Sequence, residues 1–233
     1  PKFEFRKVLN ETGIAANHIF VRDTQRACYF LGPDGTATGL DFYYNLINDE
    51  LRKLGSRYHI AVGASVGGAG AFYCSSILPV HQIVTFSPAF PQQVYLDPAT
   101  RRRVFRDWRK LFSDPAAYFE LVMVCLGASY VWRKVVRVMG EENVPDVTAA
   151  YLGSQPAPPP AVIFYGVRSL PDRVQAEMHD HIPTVTKIGL DSGRHNCAGD
   201  LKKAGTLSET MRRALLDHGL GDYVAQRAPA ANA

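Results

Sequence analysis

The 233-residue chain is 46% hydrophobic and 21% charged, enough apolar material to bury a large core, most simply as a single domain over residues 1–233. Its 26 basic and 22 acidic side chains leave a formal charge of +4, too mild a bias to imply nucleic acid, and no apolar run approaches a membrane span or a signal-peptide core. Cys28, Cys74, Cys125 and Cys197 form no Cys-x-x-Cys pair, which suits reduced thiols in a cytoplasmic protein.

From the N-terminus, Phe3-Glu4-Phe5 permits a first edge strand, and the run from Asn17 to Asp23 predicts a strand built on Ile19-Phe20-Val21 with a polar end. Arg22, Asp23 and Arg26 at that end suit either contacts to a substrate or a solvated rim. Cys28 to Leu31 is a short apolar segment that runs into Gly32-Pro33-Asp34-Gly35, a turn. Leu40, Tyr43, Tyr44, Ile47, Leu51 and Leu54 then recur at helical spacing. Asp41 can cap the start of that helix and Gly55 can close its end.

Tyr58 to Val62 is short, apolar and β-prone, and reads as a buried strand. It is followed by Gly63-Ala64-Ser65-Val66-Gly67 and by small residues that pass into a helix-length run. A Gly-x-Ser-x-Gly pattern between a strand and a helix puts Ser65 on a sharp turn in a strained backbone conformation, with its hydroxyl clear of the sheet. Glycine is expected at both 63 and 67 because side chains there would collide with the neighbouring strand and helix. The helix that starts at Val66 directs free N–H groups and its positive dipole end to the same point, so negative charge on a reacting oxygen is favoured there. Two other glycine-rich turns fit less well. A phosphate-cradling loop needs Lys and then Ser or Thr after its last glycine, where this chain reads Ala69-Gly70. A dinucleotide fold needs glycine in place of Ser65 and an acidic residue ending the next strand, where the chain reads Phe86-Ser87-Pro88.

Val80 to Phe86 reads as the next parallel strand, which puts Ser87 and Phe90 at the carboxyl edge of the sheet as substrate contacts or as parts of a turn. Between 97 and 160 the pattern changes. Arg101, Arg102, Arg103, Arg106, Arg109 and Lys110 surround Phe105, Trp108, Leu111 and Phe112, and a second helical run spans Tyr118 to Met139. These basic residues either form a solvated face or receive an anionic part of a substrate, such as a phosphate, a carboxylate or a phosphopantetheine-linked carrier protein. Pro156 to Pro160 is a stiff connector. Ala161 to Gly166 is a strand, Thr184 to Asp191 is the last strand, and Leu207 to His218 is a closing helix. The Ala- and Pro-rich end, Gln226 to Ala233, is expected to be disordered. Strands alternating with helices predict an α/β fold, with a mostly parallel sheet covered by helices on both faces.

Through the Gly63 to Gly67 motif in its strand-turn-helix setting, the chain resembles the α/β-hydrolase superfamily. The resemblance implies the α/β-hydrolase fold, a helical cap at 97–160, Ser65 as nucleophile, an acid in the loop after strand 161–166, and a base one loop past the final strand. Asp172 matches the acid, although its place beside Pro171 also suits the first turn of a helix; Asp180 is the reserve. His195 matches the base and completes the family's chain order of nucleophile, acid and base, whereas His59, His81, His179, His181 and His218 stand elsewhere. Cys197 has no elbow and reads as a loop thiol. The implied oxyanion donors are Val66 and a residue near Asp23 or Thr24, although Arg22-Asp23-Thr24-Gln25-Arg26 replaces the family's His-Gly signature at that loop. The implied activity is that of a serine esterase or thioesterase, working through an acyl-enzyme on a small acylated substrate with neither metal nor cofactor. The alternatives are an acyltransferase on the same triad and a non-catalytic binding protein of this fold. Ile19 to Leu31 and Gly63 to Pro88 also resemble small bacterial hydrolases of surface-polysaccharide assembly and export, which would make the acyl group an acetate on a sugar.

Overall fold

A computed structural model describes residues 5–90 and 110–221. In chain order its principal elements are α1 (Arg6–Glu11), α2 (Gly39–Leu54), β1 (Ile60–Ala64), α3 (Val66–Ile77), β2 (Gln82–Phe86), α4 (Pro115–Met139), α5 (Val147–Leu152), β3 (Ala161–Gly166), α6 (Leu170–Glu177), β4 (Val185–Leu190), α7 (Cys197–Lys203) and α8 (Leu207–Leu215). The four strands form one parallel sheet in the order β1-β2-β3-β4.

Each new strand is added beside the previous one in the same direction, so the right-handed crossovers that join parallel strands all fall on one face. On that face Phe72 of α3, Val135 of α4, Tyr151 of α5 and Ala176 of α6 share a core with Ile83, Ala161 and Ile163 of the sheet. Among the described residues the other face is covered by α1, α7 and α8. There Val8 of α1, Ala198 of α7 and Met211 of α8 pack with Val84, Phe86, Val162 and Phe164. Alternate residues of β2 and β3 thus feed opposite cores, which is why both strands are buried along nearly their whole length. The α/β architecture expected from the alternation of elements is the one observed.

Some local expectations change. Phe5 does not lie in an edge strand: it leads into α1, and its ring packs on Phe86 with centroids 5.4 Å apart. The run from Asn17 to Asp23 is irregular and forms no strand with the described residues. A groove of about 700 Å³, lined by Ile14, Ile19 and Val21 on one side and by Ile60 and Val62 on the other, separates it from the open edge of β1. β-prone side chains alone do not make a strand; paired backbone does. The α2 helix closes as expected, with Gly55 left-handed at its end (φ 60°) and donating its N–H to Leu51. It starts earlier than expected, with Thr38 at the N-cap position, so Asp41 lies in the first turn, where the helix dipole favours an acid, and does not cap it. The basic run from Arg101 to Arg109 and the tail from 226 to 233 lie outside the described residues. Among the described residues, no helix is long and apolar enough to cross a membrane.

Candidate active site

The carboxyl ends of all four strands meet at one place, the position where open parallel sheets bind ligands. Ser65 follows β1 with φ 51° and ψ −124°, a strained conformation for a residue with a side chain. Its backbone is pinned on both sides: the N–H donates to the Phe86 carbonyl at 3.0 Å, and the carbonyl accepts from Gly68, Ala69 and Ala89. Space sets one of the expected glycines. A Cβ on Gly63 would stand 2.1 Å from the Gly67 oxygen, inside van der Waals contact with backbone. Gly67 differs from the expectation, because a Cβ there would meet only the Tyr29 hydroxyl at 3.8 Å. The close approach belongs instead to Gly68, packed on Pro88, and to Gly70, packed on the Tyr29 ring.

His195 is carried over the end of β3 by the loop that follows β4. That loop crosses Gly166 so closely that a Cβ there would stand 2.7 Å from the Ser192 oxygen. Arg168 donates its N–H to the same oxygen, the Ser192 hydroxyl donates to Asp200 at 2.6 Å, and Arg194 donates its N–H to the Ser192 hydroxyl oxygen. Asn196 then caps α7 by accepting the Gly199 N–H. The loop is therefore held at both ends. Neither Gly166 nor Ser192 stands out in the sequence, since a close backbone crossing leaves no compositional mark.

Asp172 lies in the first turn of α6, next to Pro171, so the acid and helix-start placements coincide. Ser65 Oγ and His195 Nε2 are 2.8 Å apart, and His195 Nδ1 and Asp172 Oδ1 are 2.6 Å apart. The Asp172 side chain is fully buried and that of His195 is 12% exposed. A carboxylate only accepts, so Nδ1 carries the proton and Nε2 is left as an acceptor for the Ser65 hydroxyl. The helix dipole at the start of α6 favours negative charge on Asp172.

The remaining candidates are distributed as follows. Val66 opens α3, whose first N–H groups have no acceptor within the helix. Asp23 turns its carboxylate inward to accept the N–H groups of Gln25, Ala27 and Tyr29, and so organises a loop in which Arg26, Cys28 and Tyr29 have positive φ. Arg22, Thr24 and Arg26 are exposed on that loop, and Lys134 of α4 donates to the Gln25 carbonyl oxygen and to its Oε1. Ser87 and Phe90, expected at a ligand-facing edge, are instead 2% and 1% exposed. Ser87 Oγ donates to Asp172 Oδ2 at 2.8 Å, while Phe90 packs on Phe72 and His179 and donates its N–H to Gln175. They differ from the expectation because the chain after β2 turns under α6 rather than out to solvent. Cys197 is buried beside Ser87, and burial pushes its thiol up to about 12, the opposite of a nucleophile's environment. Asp180 pairs with Lys187, away from His195. His59, with its ring nitrogens at the Pro79 and Ser56 carbonyls, and His81, stacked on Tyr58, stand at the amino end of the sheet.

No family model matches the chain, and no curated protein matches it by sequence. Among solved structures, it is similar to a chain of a glycosylation associate protein complex from Streptococcus agalactiae, at 17% identity and a TM-score of 0.45, over 82% of this chain and 34% of the other. It is also similar to an alpha/beta hydrolase from Sphaerobacter thermophilus, at 16% identity and a TM-score of 0.37, over 66% of each chain. This chain therefore spans about a third of the length of the streptococcal one.

Proposed function

We propose that the chain is a serine hydrolase of the α/β-hydrolase type that cleaves an ester or thioester through an acyl-enzyme, with Ser65 as nucleophile, His195 as general base and Asp172 as the acid that orients it. The observation that carries this reading is the unbroken hydrogen-bonded run from the Ser65 hydroxyl through the imidazole to a buried carboxylate.

In this mechanism His195 Nε2 takes the Ser65 proton as the serine oxygen attacks the acyl carbon and the carbonyl electron pair moves onto its oxygen. The Val66 N–H faces that oxyanion, with the Asp23 and Thr24 loop as the proposed source of a second donor; each donor is worth about 3 kcal/mol. Collapse expels the alcohol or thiol, which leaves with the proton from His195. Water, deprotonated by the same nitrogen, then releases the acid. Arg22 and Arg26, on the loop gripped by Lys134, are proposed to receive an anionic or carrier-linked part of the substrate. An alcohol that takes the acyl group in place of water makes the same centre an acyltransferase.

The test is turnover of p-nitrophenyl acetate by wild type, Ser65→Ala and His195→Ala, with and without an added sugar alcohol. Nitrophenol release that falls by about a thousandfold or more in both variants supports the reading. Equal release by all three proteins overturns it, and acetylated sugar in the product would assign the transferase form.

A further inference from the structure

We propose that Ser87 is a positioning residue for this centre, its hydroxyl fixing the orientation of the Asp172 carboxylate and through it that of His195. The proposal rests on the serine-hydrolase reading above.

The two Asp172 oxygens have different partners: Oδ1 faces His195 Nδ1 at 2.6 Å and Oδ2 faces Ser87 Oγ at 2.8 Å. With the Asp172 side chain fully buried, water does not compete for Oδ2, and without Ser87 that oxygen would lose its donor in a low-dielectric setting. A carboxylate tied at only one oxygen is free to turn about its last torsion, and the imidazole would turn with it.

Ser87 has one hydroxyl proton and two neighbours able to receive it, Asp172 Oδ2 and Cys197 Sγ, the latter at 3.1 Å. A carboxylate accepts far more strongly than sulfur. Burial keeps the Cys197 thiol protonated, so the Ser87 proton goes to Asp172. The backbone holds the hydroxyl in place: Ser87 has φ 43°, and its N–H donates to the Phe164 carbonyl at 2.7 Å. A left-handed, buried position suits glycine better than serine. The side chain sits there at a conformational cost that its bond to Asp172 offsets.

The experiment compares wild type, Ser87→Ala and Ser87→Gly for the pH dependence of fluorophosphonate labelling at Ser65, alongside thermal melting. Glycine relieves the left-handed backbone, so Ser87→Gly should melt no lower than Ser87→Ala. Both variants should label about ten- to a hundredfold more slowly, the loss of one hydrogen bond to a charged group at tenfold per 1.4 kcal/mol. Losing the donor also concentrates carboxylate charge toward His195, so the apparent pKa of the rate profile should rise in both. Labelling at the wild-type rate, or a slower rate with an unmoved profile, would assign Ser87 to packing alone and overturn the proposal. A wild type that takes no label overturns the hydrolase reading and this inference with it, a result distinct from labelled wild type with unaffected variants.

Discussion

A Cβ placed on Gly63 would lie 2.1 Å from the carbonyl oxygen of Gly67. The turn that presents Ser65 thus closes over bare backbone at Gly63, while Gly67 itself has room. The expected outcome is an asymmetry between two alanine substitutions in one motif. Gly63→Ala should destabilise by about 3 kcal/mol or more, since only backbone movement relieves the clash. Gly67→Ala, in the first turn of α3, should hold or raise stability by up to about 1 kcal/mol. Denaturant unfolding of the two variants checks this, and equal losses would contradict it.

Gly166 sets the height of the loop that carries His195. In Gly166→Ala the new methyl would press on the Ser192 and Arg194 carbonyls, lifting the imidazole away from Ser65. Labelling or esterase rate should fall by about a hundredfold, the cost of a displacement near 1 Å at a reacting pair. Far-ultraviolet circular dichroism should stay native-like.

His179 is buried against Phe72 and Phe90, with Nδ1 at 2.9 Å from the Gln175 carbonyl and no partner for Nε2 among the described residues. Burial holds its pKa below the ordinary 6.5, and the nearby His181 and Lys187 charges add in the same direction. A depressed histidine pKa means that the unfolded chain binds a proton the folded one refuses. Its contribution to stability is therefore complete above about pH 6.5 and is lost as pH falls below that value, by at most about 1.4 kcal/mol per pH unit. Melting between pH 8 and pH 5 should show a steeper decline for wild type than for His179→Phe.

Cys28 and Cys197, both with thiols pushed up to about 12 by burial, should not react with Ellman's reagent at pH 8 until the protein is unfolded. Reaction of Cys197 in the folded protein would contradict the packing around Ser87.

The sheet was legible in the sequence because its strands are short apolar runs bounded by turn residues. Burial on both faces holds for β2 and β3, whereas β1, expected to be buried, lies at the end of the sheet order and is only part-buried. The elbow was legible because the Gly63 to Gly67 spacing carries its own geometry. Asp172 and His195 were marked only by chain order through the resemblance, and the structure brings them within hydrogen-bonding distance of each other and of Ser65. What escaped are relationships that depend on a distant segment. Ile19 to Val21 has strand-forming side chains, but pairing depends on where β1's edge lies. Ser87 and Phe90 follow a strand, but whether they face ligand or core depends on α6, which begins only at Leu170. The space at Gly67 and the crowding at Gly166 are likewise set by Tyr29 and Ser192.

The most direct test of an activated serine is reaction of the purified protein with a fluorophosphonate probe, followed by mapping of the modified peptide in wild type, Ser65→Ala and His195→Ala. One label is expected, on Ser65, abolished in the first variant and slowed by about a thousandfold or more in the second. A folded wild type that takes up no label, or one labelled at another residue, would contradict it.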